Sequence, residues 1–150
     1  MDDALTELKM VDHLVFVSLR YTRTVDVIKS IVQRLVYTYD EFMTCILMSA
    51  KKDGTLEQIP ELPALRCNKI RELFPEDEIL INMVDFYQML RKILRSKISG
   101  INEFRRHVTL IGRLDGEEWR VDIDLVNEYY KDAREHFEYL KKIKEEAQAN

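Results

Sequence analysis

Arginine clusters are the feature of this sequence with the most evident chemistry. Arg91 and Arg95 lie four residues apart, and Arg105, Arg106 and His107 are consecutive. Guanidinium groups bind phosphate through paired N–H donors, and a neighbouring imidazole can transfer a proton near neutral pH. The combination fits two kinds of site: a surface that binds nucleic acid or a nucleotide, or the centre of a ribonuclease.

Another basic cluster lies in the stretch SLRYTRTVDVI, where Arg20 and Arg23 stand among Tyr21, Thr22 and Thr24. Phosphate binding requires several cations on one face of the folded chain. The candidate residues for binding nucleic acid or a nucleotide are Arg20, Arg23, Arg91, Arg95, Arg105 and Arg106. Two other interpretations of the same clusters stay open: a solvated, salt-bridged surface, and a surface that docks another protein.

Other residue types that commonly support catalysis are poorly placed for it. No two of the histidines, His13, His107 and His136, have the i, i+4 spacing of a metal site on one helix face. Cys45 and Cys67 form no CxxC pair, and the four glycines are too scattered for a phosphate-binding loop. We therefore predict neither a metal nor a cofactor.

Length and composition suit a single domain over residues 1–150, with 46% hydrophobic and 33% charged residues. The formal net charge of -4 argues against indiscriminate nucleic-acid binding but allows a local basic patch. The acidic segment MDDALTELKM lacks the features of a signal peptide, and no apolar run is long enough for a membrane span. Together with the two unpaired cysteines, this predicts a cytoplasmic protein without membrane contact.

Helical spacing of apolar residues runs from Leu5 to Leu19 and again from Val25 to Leu47. A single straight helix over both runs would be about 75 Å long, far more than a domain of this size accommodates. We therefore predict a break between Tyr21 and Thr24, with Thr22 or Thr24 as the cap of the second helix.

Three further helices are predicted downstream. They are a short helix over residues 64–74, a longer one over 76–97, and a last one that starts at Leu125 and frays into a solvated tail over 145–150. Leu65 is expected on the inner face of the short helix, and Ser99–Gly100 is expected to end the longer one.

The period changes to alternation over residues 107–124, which predicts a β-hairpin around the turn Asp115–Gly116. The register that follows pairs Leu114 with Glu117, Arg113 with Glu118, Gly112 with Trp119, Leu110 with Val121, Val108 with Ile123 and His107 with Asp124. The predicted fold class is mainly α: a four- to five-helix bundle with one β-hairpin inserted before the last helix.

The first two helices resemble the start of HEPN-type helical proteins. In that superfamily an amphipathic helix leads into a second helix with an aromatic pair, and Tyr37, Tyr39 and Phe42 occupy the comparable stretch here. The segment YTRTVDVI is also similar to a group of uncharacterised, mostly archaeal small proteins of that superfamily. The resemblance covers the N-terminal third and the helix order. It implies a helical bundle, a homodimer and, as in some members, a small nucleotidyltransferase as partner.

Many HEPN proteins are ribonucleases whose motif is an arginine followed by four to six residues and a histidine. At the required distance before His107 lie residues 100–102, and before His136 lie residues 129–131. Neither range contains an arginine, and none precedes His13. The catalytic motif that the resemblance implies is therefore missing.

We predict a non-catalytic HEPN-like module that binds RNA, a nucleotide or a protein partner. One alternative is a divergent ribonuclease that uses Arg105, Arg106 and His107 together with acids of the hairpin. The other is a purely structural dimerisation module.

Overall fold

The computed structural model of this protein describes residues 1–149, most of which are helical. In chain order the helices are α1 (Asp2–His13), α2 (Leu19–Tyr21), α3 (Val25–Lys52), α4 (Pro63–Leu73), α5 (Glu78–Arg95) and α6 (Ile123–Ala149). A π-helical stretch, Leu14–Ser18, joins α1 to α2, so that residues 2–21 form one continuous helical run. The predicted fold class, mainly α with a β insertion before the last helix, is confirmed.

The joint between α2 and α3 lies where the sequence predicts it. Thr24 has extended backbone, and its side-chain oxygen accepts a hydrogen bond from the N–H of Val27 (3.3 Å). Asp26 follows in the first turn of α3, where the helix dipole favours a negative charge. Of the two predicted caps, Thr24 is therefore the correct one.

Helix α3 is central to the core, because it packs against α1, α4, α5, α6 and the sheet. Its buried residues recur along its whole length, from Val25 to Ala50, and Tyr39 and Phe42 in its middle are fully buried. Each large apolar side chain buried in this way stabilises the fold by about 1.5–3 kcal/mol. Among the described helices, none combines the length and the apolar character that a bilayer span requires.

Three antiparallel strands form the sheet, in the order β1 (Lys97–Ile101), β2 (Thr109–Leu114) and β3 (Glu117–Asp122). Asp115 and Gly116 both have positive φ, 50° and 83°, as a tight two-residue turn requires. The predicted register is confirmed for four pairs: Leu114–Glu117, Arg113–Glu118, Gly112–Trp119 and Leu110–Val121.

The hairpin is shorter than the predicted residues 107–124. The carboxylate of Asp122 accepts a hydrogen bond from the N–H of Leu125 (2.9 Å) and caps α6. Ile123 and Asp124 are therefore helical, and the predicted strand pairs Val108–Ile123 and His107–Asp124 do not form.

Strand β1 occupies a segment that the sequence pattern predicts as the end of a helix. Helix α5 stops at Arg95, because Ser96 turns to extended backbone and its hydroxyl donates to the carbonyl of Ile93 (2.5 Å). Gly100 lies inside β1 rather than ending a helix. A Cβ at this position would overlap the side chain of Val25, so glycine lets β1 pack on the start of α3.

Two predicted details of the helices are also wrong. Helix α6 continues to Ala149, because no glycine or proline interrupts it. Residues 145–148 of the predicted tail are exposed positions of this helix, and Asn150 lies outside the described residues. In α4 the buried residues are Cys67 and Ile70, while Leu65 is half exposed. Leu65 is two positions before Cys67 and so lies on the opposite face of the helix.

Candidate nucleic-acid interface

The loop of residues 102–108, between β1 and β2, folds against the joint that precedes α3. The N–H of Phe104 donates to the carbonyl of Arg23 (2.6 Å), and the carboxylate of Glu103 accepts from the N–H of Val25 (3.1 Å). Glu103 thereby satisfies a free N–H of the first turn of α3 from 78 residues away, and its negative charge faces the positive end of the helix dipole.

These backbone contacts bring two of the predicted arginine clusters together. Arg23 makes the contact itself, and Arg20 lies three residues before it in the chain. On the other side of the contact, Arg105 and Arg106 directly follow Phe104. We call the surface formed by Arg20, Tyr21, Arg23, Phe104, Arg105 and Arg106 the joint surface.

Two aromatic side chains stand out from the joint surface. Tyr21 is 81% exposed and Phe104 is 77% exposed, the highest values among the large apolar side chains of the described chain. Phe104 also has a φ of 66°, in the left-handed region that a bulky residue rarely adopts. Neither burial nor backbone preference accounts for a phenylalanine at this position.

The arginines of the joint surface form no ion pair within the described part of the chain. In contrast, four arginines elsewhere each pair with a carboxylate: Arg34, Arg71, Arg113 and Arg120. The Nε atom of Arg23 is buried and has no hydrogen-bond partner among the described residues. An unsatisfied buried donor costs about 1–3 kcal/mol, so Arg23 is held at this position against a local free-energy penalty.

His107 lies beside the same surface and is exposed. Its carbonyl accepts hydrogen bonds from the Oγ1 of Thr109 (2.9 Å) and, at 3.4 Å, from the Nδ2 of Asn102. Since the predicted pair with Asp124 does not form, no carboxylate among the described residues orients the imidazole of His107. No group of three or more histidine, cysteine or acidic residues in the described chain is arranged to hold a metal ion.

Arg91 and Arg95 belong to a different place, a groove between α4, α5 and β3 that has a volume of ≈ 450 Å³. We call it the α5 groove; its lining includes Cys67, Gln88, Arg91, Lys92, Arg95 and Trp119, and no residue of the joint surface. Strand β1, about 16 Å long at roughly 3.3 Å per residue, separates Arg95 from the loop of residues 102–108. The six candidate arginines therefore fall into two groups, of four and two.

A buried polar contact underlies the α5 groove. The hydroxyl of Tyr87 donates to the carboxylate of Asp40 (2.5 Å), and burial raises the pKa of both groups. The guanidinium of Arg91 lies 5.7 Å from the centre of the Tyr87 ring, and its charge lowers the pKa of Asp40 against the effect of burial. Arg91 is thus partly compensated, whereas Arg95 forms no ion pair within the described residues.

A second buried contact, between α3 and α6, links the Tyr39 hydroxyl to the Nδ1 of His136. Burial raises the pKa of Tyr39 and lowers the pKa of His136, so both are neutral near pH 7. The aromatic rings of Phe42 and Phe86 pack on Tyr39. Tyr39 is part of the core, and His136 is half-buried at its edge.

Tyr21 and Phe104 of the joint surface and Trp119 of the α5 groove are not among the residues predicted from the sequence. A sequence signal exists for the first two, because each aromatic directly adjoins an arginine, in RYTR and in FRR. Their exposure depends on tertiary packing, which the sequence pattern does not show.

Comparison with protein-family models, curated proteins and solved structures gives no match for this chain. The resemblance to HEPN-type proteins therefore stays a prediction, and the function has to be argued from the geometry.

Proposed function

We propose that this protein is a non-catalytic, HEPN-like module that binds single-stranded RNA at the joint surface. The observation that carries the proposal is the contact of Phe104 with Arg23, which sets two exposed aromatic rings among four arginines without ion pairs. Unpaired bases stack on exposed aromatic rings while guanidinium groups bind the phosphates between them. A duplex offers neither free base faces nor the reach of a flexible strand, so single-stranded RNA is the better ligand.

Salt dependence gives a quantitative expectation. Four arginines that each neutralise one phosphate of a single strand produce a slope of log K against log salt of about -3. The overall negative charge of the protein keeps nonspecific association weak, so binding depends on this local surface.

The test is fluorescence anisotropy of a labelled single-stranded RNA of about 12 nucleotides, measured across a salt series. The double variant Arg105→Gln/Arg106→Gln should weaken binding and reduce the magnitude of the salt slope by about 1.4. The matched control is Arg113→Gln/Arg120→Gln, which removes two arginines that both pair with Glu118 on the hairpin. A flat salt response of the wild type, or equal effects of the two double variants, would contradict the proposal.

The ribonuclease alternative makes a different prediction for the same RNA. It requires cleavage products from the wild type and their loss in His107→Ala. Our proposal predicts intact RNA after incubation with either protein, with His107→Ala close to the wild type in affinity.

The resemblance also implies a homodimer and a nucleotidyltransferase partner, and composition favours the cytoplasm; these stay predictions. In the sheet order β1–β2–β3 the outer edge of β1 is unpaired within the described chain, so a second copy could add to it. Light scattering distinguishes the monomer from the homodimer, and the dimerisation alternative requires the dimer without RNA binding.

A further inference from the structure

The α5 groove carries a pair of arginines for which the protein itself supplies incomplete compensation. Arg91 and Arg95 are four residues apart on α5, so their side chains rise from the same helix face and repel each other. Asp40 and the ring of Tyr87 attract Arg91, whereas Arg95 is exposed and forms no ion pair in the described chain. Two guanidinium groups at this spacing suit an anion held between them.

The carboxylates that line the α5 groove are already paired with other cations. Asp85 binds Arg71 (2.6 Å), which lies on α4, and Glu117 binds Lys92 (3.7 Å). Neither carboxylate forms an ion pair with Arg91 or Arg95.

The lining of the α5 groove also contains one aromatic side chain and several apolar ones. Trp119 of β3 is half-buried in the groove, and Cys67 of α4 faces the same space. An indole ring offers a stacking surface, and the Gln88 side chain at the groove offers a donor and an acceptor. The volume of ≈ 450 Å³ lies in the range of small-ligand sites.

We propose that the α5 groove binds a small organic phosphate with a flat ring, of the size of a nucleoside monophosphate. The phosphate lies between Arg91 and Arg95, and the ring lies against Trp119. This site is separate from the joint surface and does not depend on RNA binding there.

Trp119 is the single tryptophan of the chain, so its fluorescence reports on the groove directly. The test titrates the four ribonucleoside monophosphates into the whole protein, with adenosine and inorganic phosphate as single-part probes. We expect saturable quenching by at least one monophosphate, and affinities for adenosine and phosphate that are weaker by about tenfold or more, because each probe makes only half of the contacts.

Arg95→Gln should weaken binding of the monophosphate by about tenfold, measured both by Trp119 fluorescence and by calorimetry, which does not depend on the emission of the free protein. Arg113→Gln is the matched control. Arg113 is an exposed arginine on the hairpin that also carries Trp119, and it pairs with Glu118 outside the groove. Circular dichroism confirms that both variants are folded, and both should retain the RNA affinity of the wild type.

The proposal is overturned if none of the four monophosphates gives a saturable signal by fluorescence or calorimetry. It is also overturned if adenosine binds as tightly as its monophosphate, or if Arg95→Gln and Arg113→Gln bind equally well. A loss of RNA binding in Arg95→Gln would show that the groove and the joint surface act as one site, and would contradict their separation.

Discussion

Phe104 is the residue at which stability and proposed function diverge most clearly. Its ring is 77% exposed, so it contributes little hydrophobic stabilisation, and its φ of 66° is unfavourable for a side chain with a bulky Cβ substituent. Asparagine adopts this region more readily than phenylalanine. The joint surface therefore retains an aromatic ring that the fold itself does not require.

We predict that Phe104→Asn keeps or raises the free energy of unfolding, by up to about 1 kcal/mol, because the backbone strain is relieved. The same change should weaken RNA binding by about 1–3 kcal/mol, since one stacked base is lost. Urea unfolding and fluorescence anisotropy measure the two quantities.

Phe104→Tyr is the matched control, because it keeps both the ring and the strain and should bind RNA like the wild type. A variant Phe104→Asn that unfolds at lower urea concentration and binds RNA normally would instead assign Phe104 a structural role.

At the scale of elements, the loop of residues 102–108 and helix α3 support each other. Glu103 caps the first turn of α3, and the same contact holds the loop beside the joint. A change at Glu103 should therefore affect stability and binding together, in contrast to the change at Phe104.

We predict that Glu103→Ala lowers the free energy of unfolding by about 0.5–2 kcal/mol, as expected for the loss of a helix cap. Glu103→Gln should have a smaller effect, because its amide oxygen can still accept from Val25. Urea unfolding gives the stability, and amide hydrogen exchange at Val25 should be faster in Glu103→Ala. Equal exchange rates in the wild type and Glu103→Ala would refute the cap.

Gly100 makes a second prediction about the same junction. Gly100→Ala should lower the free energy of unfolding by about 1–3 kcal/mol, because the added methyl overlaps Val25. In the background Val25→Ala, where space is available, the same substitution should have a smaller effect. Ser99→Ala, at the neighbouring exposed position of β1, is the control. Equal effects of Gly100→Ala in both backgrounds would exclude the overlap as the cause. Thermal or urea unfolding of the wild type, the two single variants at Gly100 and Val25, and the double variant completes the double-mutant cycle.

The elements that the sequence predicts correctly are those with a strong local signal. The long apolar period of α3, the cap Thr24 and the turn Asp115–Gly116 each follow from neighbouring residues, and the turn alone fixes the register of four strand pairs. Strand β1 lacks such a signal. Its sequence KISGI has little alternation, and Ser99–Gly100 resembles the end of a helix until its pairing with β2 is known.

The candidate site is predictable only in part for the same reason. The arginines can be recognised by type, but residues 20–23 and 103–106 are about 80 positions apart in the chain, and only the folded chain brings them together. The assignment of Arg91 and Arg95 to a separate groove likewise depends on where β1 and β3 lie.

At the scale of the whole molecule, the buried pair of Tyr39 and His136 couples stability to pH. Burial lowers the pKa of His136 in the folded state below its unfolded value of about 6.5. The unfolded chain therefore binds more protons as the pH falls through this value. The contribution of neutral His136 to the free energy of unfolding is complete above about pH 6.5. It is lost as the pH falls towards the lowered pKa of His136 in the folded state.

We predict that the wild type loses more free energy of unfolding than His136→Gln as the pH falls below about 6.5, because the neutral, buried His136 is then protonated first in the unfolded chain. Urea unfolding at several pH values measures the difference between the two proteins. Asp40 and Asp132, whose pKa values are raised by burial, act in the opposite direction but are present in both proteins and cancel in the comparison. Parallel pH profiles would show that His136 does not contribute.

The π-helical stretch Leu14–Ser18 has a consequence for how the joint surface can vary. A π turn holds one residue more than an α turn, and each residue of an α-helix corresponds to a rotation of about 100°. The length of this stretch therefore sets the direction in which Arg20 and Tyr21 point, while Val15 and Leu19 stay in the core. A single deletion there would turn Leu19, Arg20 and Tyr21 together about a quarter of the way around the helix, so the core contact of Leu19 opposes such a change. The π-helical stretch therefore fixes the orientation of one half of the joint surface relative to the core, independently of the residue types at positions 20 and 21.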